Sequence, residues 1–257
     1  MNALTLTLRQ VRSENRVFWR NPPSAFFTFV FPLMFLVIFS LIFGNDNIDV
    51  KGGTTKASTF FIPAISAFAV ITACYTNIAM TVCFARDMGI LKRVRGTPLP
   101  ASIFLAGKVL NSVLIAILLV AIVVAFGVVF YGVHVPTNTM PAFLVSLAVG
   151  SACFCALGLA VTGFVPNAEA APAVVNATIF PLLFISDVFI RNNNSPGWLK
   201  VLSGIFPIKH FSQALQTAFN PFVTGAGFEP GHLAVMAIWG LVGLAVALRK
   251  FSWEPRR

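Results

Sequence analysis

Charged residues are scarce in this sequence, and acidic residues are the scarcest. Only 10% of the 257 residues are charged, and eight of these are Asp or Glu. A soluble domain carries roughly 25% charged residues. The hydrophobic share is 57%, and the mean hydropathy is +0.85. These values exclude an ordinary soluble domain and predict an integral membrane protein.

The sequence also lacks the motifs of nucleotide-binding and catalytic proteins. Residues 51–56, KGGTTK, have glycines beside lysine and threonine, but not the order and spacing of a phosphate-binding loop. HExxH, nucleophile-elbow and CxxC motifs are missing as well. We therefore predict no catalytic residue, no directly bound cofactor, and a protein that is not itself an enzyme.

Cysteine and histidine follow no metal-binding pattern. Cys74, Cys83, Cys153 and Cys155 all fall in hydrophobic segments, where a free thiol behaves as a small buried apolar group. Cys153 and Cys155 would point to different faces of a helix, which disfavours a disulfide between them. His134, His210 and His232 are far apart in the sequence. We predict no metal site.

Hydrophobic segments, by contrast, are abundant. A segment of about 19 residues reaches roughly 28 Å as a helix, close to the thickness of a bilayer core. Six segments qualify: about 25–43, 60–84, 102–131, 141–165, 170–190 and 232–248. Two apolar stretches within residues 191–230 are too short to cross, so we predict re-entrant helices on the extracellular side there. The predicted fold class is a single-domain, all-α integral membrane protein with six transmembrane helices.

Residues 1–22 precede the first span and predict an amphipathic helix that lies along the membrane surface. Leu4, Leu8, Val11 and Phe18 fall near one helical face, and arginines occupy a neighbouring face. The candidate interfacial residues are Arg9, Arg12, Arg16, Trp19 and Arg20. Residues 21–23, Asn-Pro-Pro, would end this helix. A disordered basic tail is the alternative.

The distribution of cations predicts the orientation of the chain. Of the 18 Lys and Arg residues, 13 lie before the first span, within residues 86–108, or after the sixth span. Cytoplasmic loops carry the excess of Lys and Arg. We therefore expect a multi-pass protein of the cell membrane with both termini in the cytoplasm. The same rule explains the net charge of +10 without a nucleic-acid partner.

Residues 86–100, RDMGILKRVRGTPLP, form a dense polar interruption between the second and third spans. Met88, Leu91 and Val94 recur at three-residue spacing, so a helix would line them along one face and cover the rest with cations. Gly96 and Pro98 would end the helix. The stretch predicts a short amphipathic helix over residues 86–99 that contacts a cytoplasmic partner.

Polar residues within the spans need partners at membrane depth. They are Thr72, Tyr75, Thr76 and Asn77 in the second span, and Asn176 and Asp187 in the fifth. Two interpretations stay open: ordinary hydrogen bonds between helices, or the wall of a substrate path. Asp187 could also form a structural pair with Arg191, four residues later.

Together these features resemble the ABC type-2 exporter permeases, in the branch that exports daunorubicin-type drugs, nodulation factors, polysaccharides and teichoic acid. The most specific likeness lies in Arg86, Asp87, Gly89, Leu91, Lys92, Arg93, Thr97, Pro98 and Leu99. Asp87 stands where glutamate is usual in the family. Asp187 departs from the family pattern, in which a small residue is common.

The resemblance implies a permease that lacks its own motor. Two permease chains, alike or different, would pair with two cytoplasmic ATPase subunits that bind ATP and magnesium. Residues 86–99, including Arg95, would be the coupling helix, and the N-terminal helix would be a second contact. The cargo would be an amphiphilic or hydrophobic drug, lipid or glycan-lipid. An ion-coupled secondary transporter and a non-transporting membrane scaffold remain as alternatives.

Overall fold

The computed structural model describes residues 2–43, 46–50, 52–97, 99–133, 135, 137–186, 188 and 196–254. Within these residues lie eleven α-helices and one β-hairpin. The helices are α1 (Ala3–Trp19), α2 (Pro22–Phe43), α3 (Ala57–Ile71), α4 (Asn77–Asp87), α5 (Ile90–Arg95), α6 (Ala101–Tyr131), α7 (Met140–Thr162), α8 (Ala171–Ile185), α9 (Gly197–Ile205), α10 (Pro207–Phe219) and α11 (Pro230–Lys250). The all-α fold class is confirmed.

Five helical segments of the described chain are long and apolar enough to cross a membrane. They contain α2, the continuous α3–α4 segment, α6, α7 and α11. The predicted fifth span is represented by α8, which is apolar and has 15 residues. Asp187 and Arg191, at the predicted outer end of that span, lie outside the described residues.

The Asn-Pro-Pro sequence at residues 21–23 separates α1 from α2, but the prolines belong to the second helix. α1 ends at Trp19, and α2 begins at Pro22. Proline is tolerated in the first helical turn because the backbone N–H that it lacks would have no partner there. The first span therefore begins three residues earlier than its composition predicts.

The second predicted span is continuous from Ala57 to Asp87 and is the most buried of the long helices in the described chain. A π-helical turn at Thr72–Thr76 joins α3 to α4. Gly158 of α7 faces this turn, and a Cβ at Gly158 would lie 2.8 Å from the carbonyl oxygen of Tyr75. The glycine thus allows α7 to approach the carbonyl groups of the widened turn.

The polar composition of residues 44–59 predicts a loop between the first two spans, and that prediction is wrong for most of the segment. Asn47–Val50 (β1) and Gly53–Lys56 (β2) pair antiparallel, with Asn47 opposite Lys56. Gly52 has φ of 98°, a left-handed conformation that glycine adopts without strain. Phe222 packs on the tip, since a Cβ at Gly52 would lie 2.8 Å from the Phe222 Cβ. We call this end of the molecule the hairpin side, and the end bearing α5 the α5 side.

The predicted short helices before the last span are confirmed as α9 and α10. α10 packs against α3, α7 and α11 and contributes fully buried Phe211 and Leu215 to the hydrophobic core. α7 and α11 run side by side, with Gly240 against the backbone of Cys153 and Gly243 against that of Leu157. Small residues at these positions permit the close approach.

Candidate functional site

The residues predicted to contact a cytoplasmic partner begin at the end of α4, where Arg86 is buried. Its exposed fraction is 1%. Nη1 donates to the carbonyl oxygen of Thr162 at 3.1 Å, and Nη2 donates to those of Val165 at 2.9 Å and Pro166 at 3.2 Å. The last carbonyl groups of a helix have no partner within it, and guanidinium offers five donors in a fixed plane. Arg86 therefore fastens α4 to the end of α7.

Asp87 completes this arrangement. One carboxylate oxygen accepts from Arg86 Nε at 3.2 Å, and the other accepts from the backbone N–H of Ala168. We call Arg86, Asp87 and the α7–α8 turn they bind the clamp. The amphipathic pattern predicts that Arg86 is one of the outward cations of a helix. That prediction is wrong, because the guanidinium satisfies buried carbonyl groups of the chain itself.

A single helix over residues 86–99 is also not observed. Gly89 has φ of 69°, a left-handed conformation that favours glycine. A Cβ built on Gly89 would have no neighbour within 4 Å, so a larger side chain is disfavoured by the backbone conformation and not by a steric clash. The chain turns at Gly89 and starts the separate helix α5 at Ile90.

The predicted apolar face of this stretch is divided by the turn. Leu91 is fully buried and Val94 packs partly against the core, whereas Met88 is 68% exposed. Leu91 therefore anchors α5 to its own chain and is not available to a partner. Leu99 likewise packs against the core, and Pro98 lies outside the described residues.

The outer surface of α5 is cationic. Lys92, Arg93 and Arg95 are all exposed, as is Thr97, whose hydroxyl donates to the Val94 carbonyl oxygen at 2.7 Å. Cations in the last turn of a helix interact favourably with its dipole. The structure thus presents three cations on a short helix whose inner side is fixed by Leu91 and which follows the clamp directly.

The N-terminal helix α1 packs along α6 rather than standing free. Lys108 of α6 lies 2.8 Å from Glu14, and both side chains are largely buried. Phe18 is buried, while Leu4 and Leu8 of the predicted apolar face remain exposed. The predicted interfacial residues are exposed as well: Arg9, Arg12, Arg16, Trp19 and Arg20. The amphipathic helix thus has an apolar strip and a row of arginines on its outer surface.

A groove of about 390 Å³ lies between α2, the α3–α4 segment and α8. Three residues of the predicted substrate path, Thr72, Thr76 and Asn176, line it together. Tyr75 points to α8 instead, where its hydroxyl is 2.6 Å from the Thr178 hydroxyl. Asn77 is half-buried and does not line the groove. Asp187 lies outside the described residues.

Aromatic and hydroxyl groups that the sequence pattern does not single out complete the groove. They are Phe27, Phe31, Phe68 and Phe180, with Ser24 and Thr28. Nothing in the local pattern distinguishes these phenylalanines from the other 23 of the chain. Three helices distant in sequence bring them together, and the result is an amphipathic cleft.

Two histidines that are separated in the sequence also meet in the structure. The Nδ1 atoms of His210 and His232 are 2.7 Å apart, and Nε2 of His210 is 2.8 Å from the Gly204 carbonyl oxygen. No group of three or more metal-binding side chains lies together in the described part of the chain.

Comparison with known proteins gives a consistent result. The model of a family described as ABC-2 type transporter matches residues 5–220. A daunorubicin resistance ABC transporter permease protein of Streptomyces coeruleorubidus is 26% identical over 96% of this chain and 85% of its own length. A protein named as a transport permease in Cyanophora paradoxa is 26% identical over 74% of this chain and 65% of its own length. A protein named as a multidrug ABC transporter permease in Escherichia coli K12 is 23% identical, over 65% of this chain and 44% of its own length.

Proposed function

The chain belongs to the ABC-2 type transporter family, and from this premise we propose that it is the membrane-spanning subunit of an exporter driven by a separate cytoplasmic ATPase. The observation that carries the proposal is the exposed cationic surface of α5, joined directly to the buried clamp. ATP and magnesium would be bound by the partner subunits, and this chain would hydrolyse nothing itself.

Movement of the ATPase reaches the membrane through α5 in this proposal. Leu91 fixes α5 to the chain, and the clamp fixes the end of α4 to the α7–α8 turn. A push on α5 therefore acts on three transmembrane segments together. Rigid-body movement of packed helices is an established way of transmitting a conformational change.

Charge orients this docking. Lys92, Arg93 and Arg95 are exposed on one short helix, so an acidic groove on the ATPase is the complementary partner. Met88 and Ile90 are also exposed and supply apolar contact area at the same place. Leu91, on the predicted apolar face, does not contribute to docking because the chain itself buries this side chain.

α1 forms a second cytoplasmic element beside the coupling region. Its Leu4, Leu8 and Trp19 side chains are exposed and would enter the headgroup boundary of the inner leaflet, with the arginines toward anionic lipid. The ion pair between Glu14 and Lys108 holds this helix to α6. With the termini and α5 in the cytoplasm, the hairpin side faces outward.

The groove between α2, α3–α4 and α8 is the proposed cargo site. Four phenyl rings supply apolar and aromatic surface, and Thr28, Thr72, Thr76 and Asn176 supply hydrogen bonds. This lining suits an amphiphilic molecule with an aromatic or aliphatic body and a few hydroxyl or carbonyl groups. A second permease chain, identical or different, would complete the exporter.

The coupling proposal is tested by replacing one exposed cation. We would co-express the chain with the ATPase encoded beside its gene, reconstitute the complex in lipid, and measure ATP turnover for wild type and Arg93→Glu. Reversal of one charge at a complementary interface costs several kcal/mol, so we expect turnover and co-purification of the ATPase to fall at least tenfold.

Lys56→Glu is the matched control, because Lys56 is exposed on the hairpin side, away from α5. Its turnover should equal that of wild type. If no ATPase co-purifies with wild type, or if Arg93→Glu behaves like Lys56→Glu, the coupling role fails. The secondary-transporter and scaffold interpretations then take its place.

A further inference from the structure

The histidine pair lies on the hairpin side, away from the elements assigned to coupling. His210 belongs to the first turn of α10 and His232 to the first turn of α11. Their rings are 4.9 Å apart at the centroids and tilted by 50°, with 2.7 Å between the Nδ1 atoms. Through Gly204 the arrangement also reaches the end of α9. Both rings are half-buried, so protons from the solution can reach them.

The hydrogen bonds determine where the protons are. A carbonyl oxygen only accepts, so His210 Nε2 must carry the proton that it donates to Gly204. In a neutral His210 the lone pair is then on Nδ1, and the proton shared with His232 must come from His232 Nδ1. The bond to Gly204 thus sets the tautomer of His210, and the bond to His210 sets which proton His232 donates.

The number of added protons decides whether the pair survives. With one extra proton, one of the two facing Nδ1 atoms still has a lone pair, and the bond between them gains charge assistance. With two extra protons, both Nδ1 atoms carry hydrogen. Two donors then face each other without an acceptor, and two cations lie in contact.

We propose that His210 and His232 form a pH-sensitive clasp, which fastens the re-entrant helix α10 to the last span α11 in neutral solution and releases it when the solution on the hairpin side is acidic. The bond joins two helices whose sequence positions are 22 residues apart. Loss of this bond therefore changes how α10 packs against α11 and leaves both helices intact.

The charged groups on the elements around the pair are few. Lys200 lies on α9, Lys209 on α10 donates to the Ser203 hydroxyl at 3.1 Å, and Glu229 directly precedes α11. The other helices that pack against α10 (α3, α7 and α8) contain no Asp, Glu, His, Lys or Arg, and their titratable residues are the cysteines of α7. These three helices therefore supply no carboxylate that would stabilise a doubly protonated pair.

The release would be local. Trp239 Nε1 still donates to the Ile205 carbonyl oxygen at 2.7 Å, and its ring stacks on Phe206, so the end of α9 stays attached to α11. α10 also packs on α3, which lines the cargo groove with Phe68 and Ile71. An effect of the clasp on cargo exit would rest on the proposed function. The hydrogen bond between the two histidines does not depend on that function.

Amide hydrogen exchange of residues 205–214 tests the clasp in the full chain, reconstituted in lipid with its ATPase. Exchange would be compared at about pH 7.5 and about pH 5, where histidine changes charge, after correction for the intrinsic pH dependence. If the bond between the histidines is lost, the corrected exchange rate should be about 3- to 10-fold higher at the lower pH than at the higher pH.

Two variants separate the pair from general effects of acid. In His232→Gln, the exchange rate of residues 205–214 should be raised at both pH values. It should not rise further when the pH is lowered. His134→Gln changes the remaining histidine of the chain and should respond as wild type does. Equal exchange of wild type at both pH values, a response that persists in His232→Gln, or its loss in His134→Gln overturns the clasp. ATP turnover measured on the same samples reports separately on the proposed function.

Discussion

Arg86 is the residue on which the clamp depends most directly. It is a fully buried cation that binds three carbonyl groups and one carboxylate. Burying an unpaired charge is costly, so such a residue persists only where its donors are satisfied. Lysine has three donors on a compact ammonium and cannot reproduce the planar arrangement.

We therefore expect Arg86→Lys to lower the free energy of unfolding by about 3 kcal/mol, since breaking a buried pair leaves an uncompensated charge. The thermal midpoint of the purified chain in detergent would measure the loss. Arg93→Lys is the control, because Arg93 is exposed and surface substitutions usually stay within about 0.5 kcal/mol. Equal midpoints for the two variants would contradict the clamp.

At the scale of the element, the π-helical turn is the irregular part of the second span. It widens the helix where Tyr75 bonds Thr178 and where Gly158 of α7 approaches. Turns of this kind inside α-helices are rare and often occur at functional sites. Here the turn borders the groove, which Thr72 and Thr76 line.

Gly158→Ala should separate α7 from this turn. A Cβ at Gly158 would lie 2.8 Å from the Tyr75 carbonyl oxygen and 3.0 Å from that of Cys74, and backbone cannot move aside as a flexible side chain can. We expect a loss of about 1–3 kcal/mol, typical of overpacking, measured as a lower thermal midpoint.

Gly240→Ala is the matched control for this substitution. A Cβ at Gly240 would lie 3.4 Å from the nearest atom, the Cα of Cys153. This distance is close to ordinary van der Waals contact. Alanine should therefore be tolerated there, with any strain offset by its better helix propensity. Equal losses at Gly158 and Gly240 would show that the close approach to the π turn has no special cost.

At the scale of the whole molecule, the groove and α5 lie at different places along connected helices. The second span lines the groove at Thr72 and Thr76 and ends at Arg86 and Asp87. Because the two sites share no residue, the proposed function predicts that a defect in the groove impairs cargo handling without weakening the attachment of the ATPase. It predicts the reverse for a defect on α5.

Asn176→Leu tests this separation. Loss of one hydrogen-bonding group is worth about 1 kcal/mol, so stimulation of ATP turnover by a bound amphiphile should need roughly fivefold more of it. Basal turnover and ATPase co-purification should not change. Asn77→Leu removes the same group outside the groove and should leave stimulation intact, whereas equal effects of both variants would exclude the groove as the cargo site.

Much of the fold could be predicted because its signals are local. The hydropathy of residues 102–131 matches α6 within a residue, and the short apolar stretches around Pro207 match α9 and α10. The β-hairpin was missed because each strand has only four residues and β2, with the sequence GTTK, contains no large hydrophobic residue. Phe222, from far along the chain, packs on its tip. The break at Gly89 was missed because a helical pattern continues on both sides of it.

The amino-acid sequence alone is enough to predict a chain that crosses a membrane and to identify the loops that carry the cations, because hydropathy, helix length and charge are properties of neighbouring residues. The tertiary structure decided the roles of individual side chains. It buried Arg86, turned Leu91 inward, gathered Thr72, Thr76 and Asn176 around one groove, and joined His210 to His232. These outcomes depend on which distant helices meet, and a helical pattern predicts that a face is apolar or polar without specifying what will pack against it.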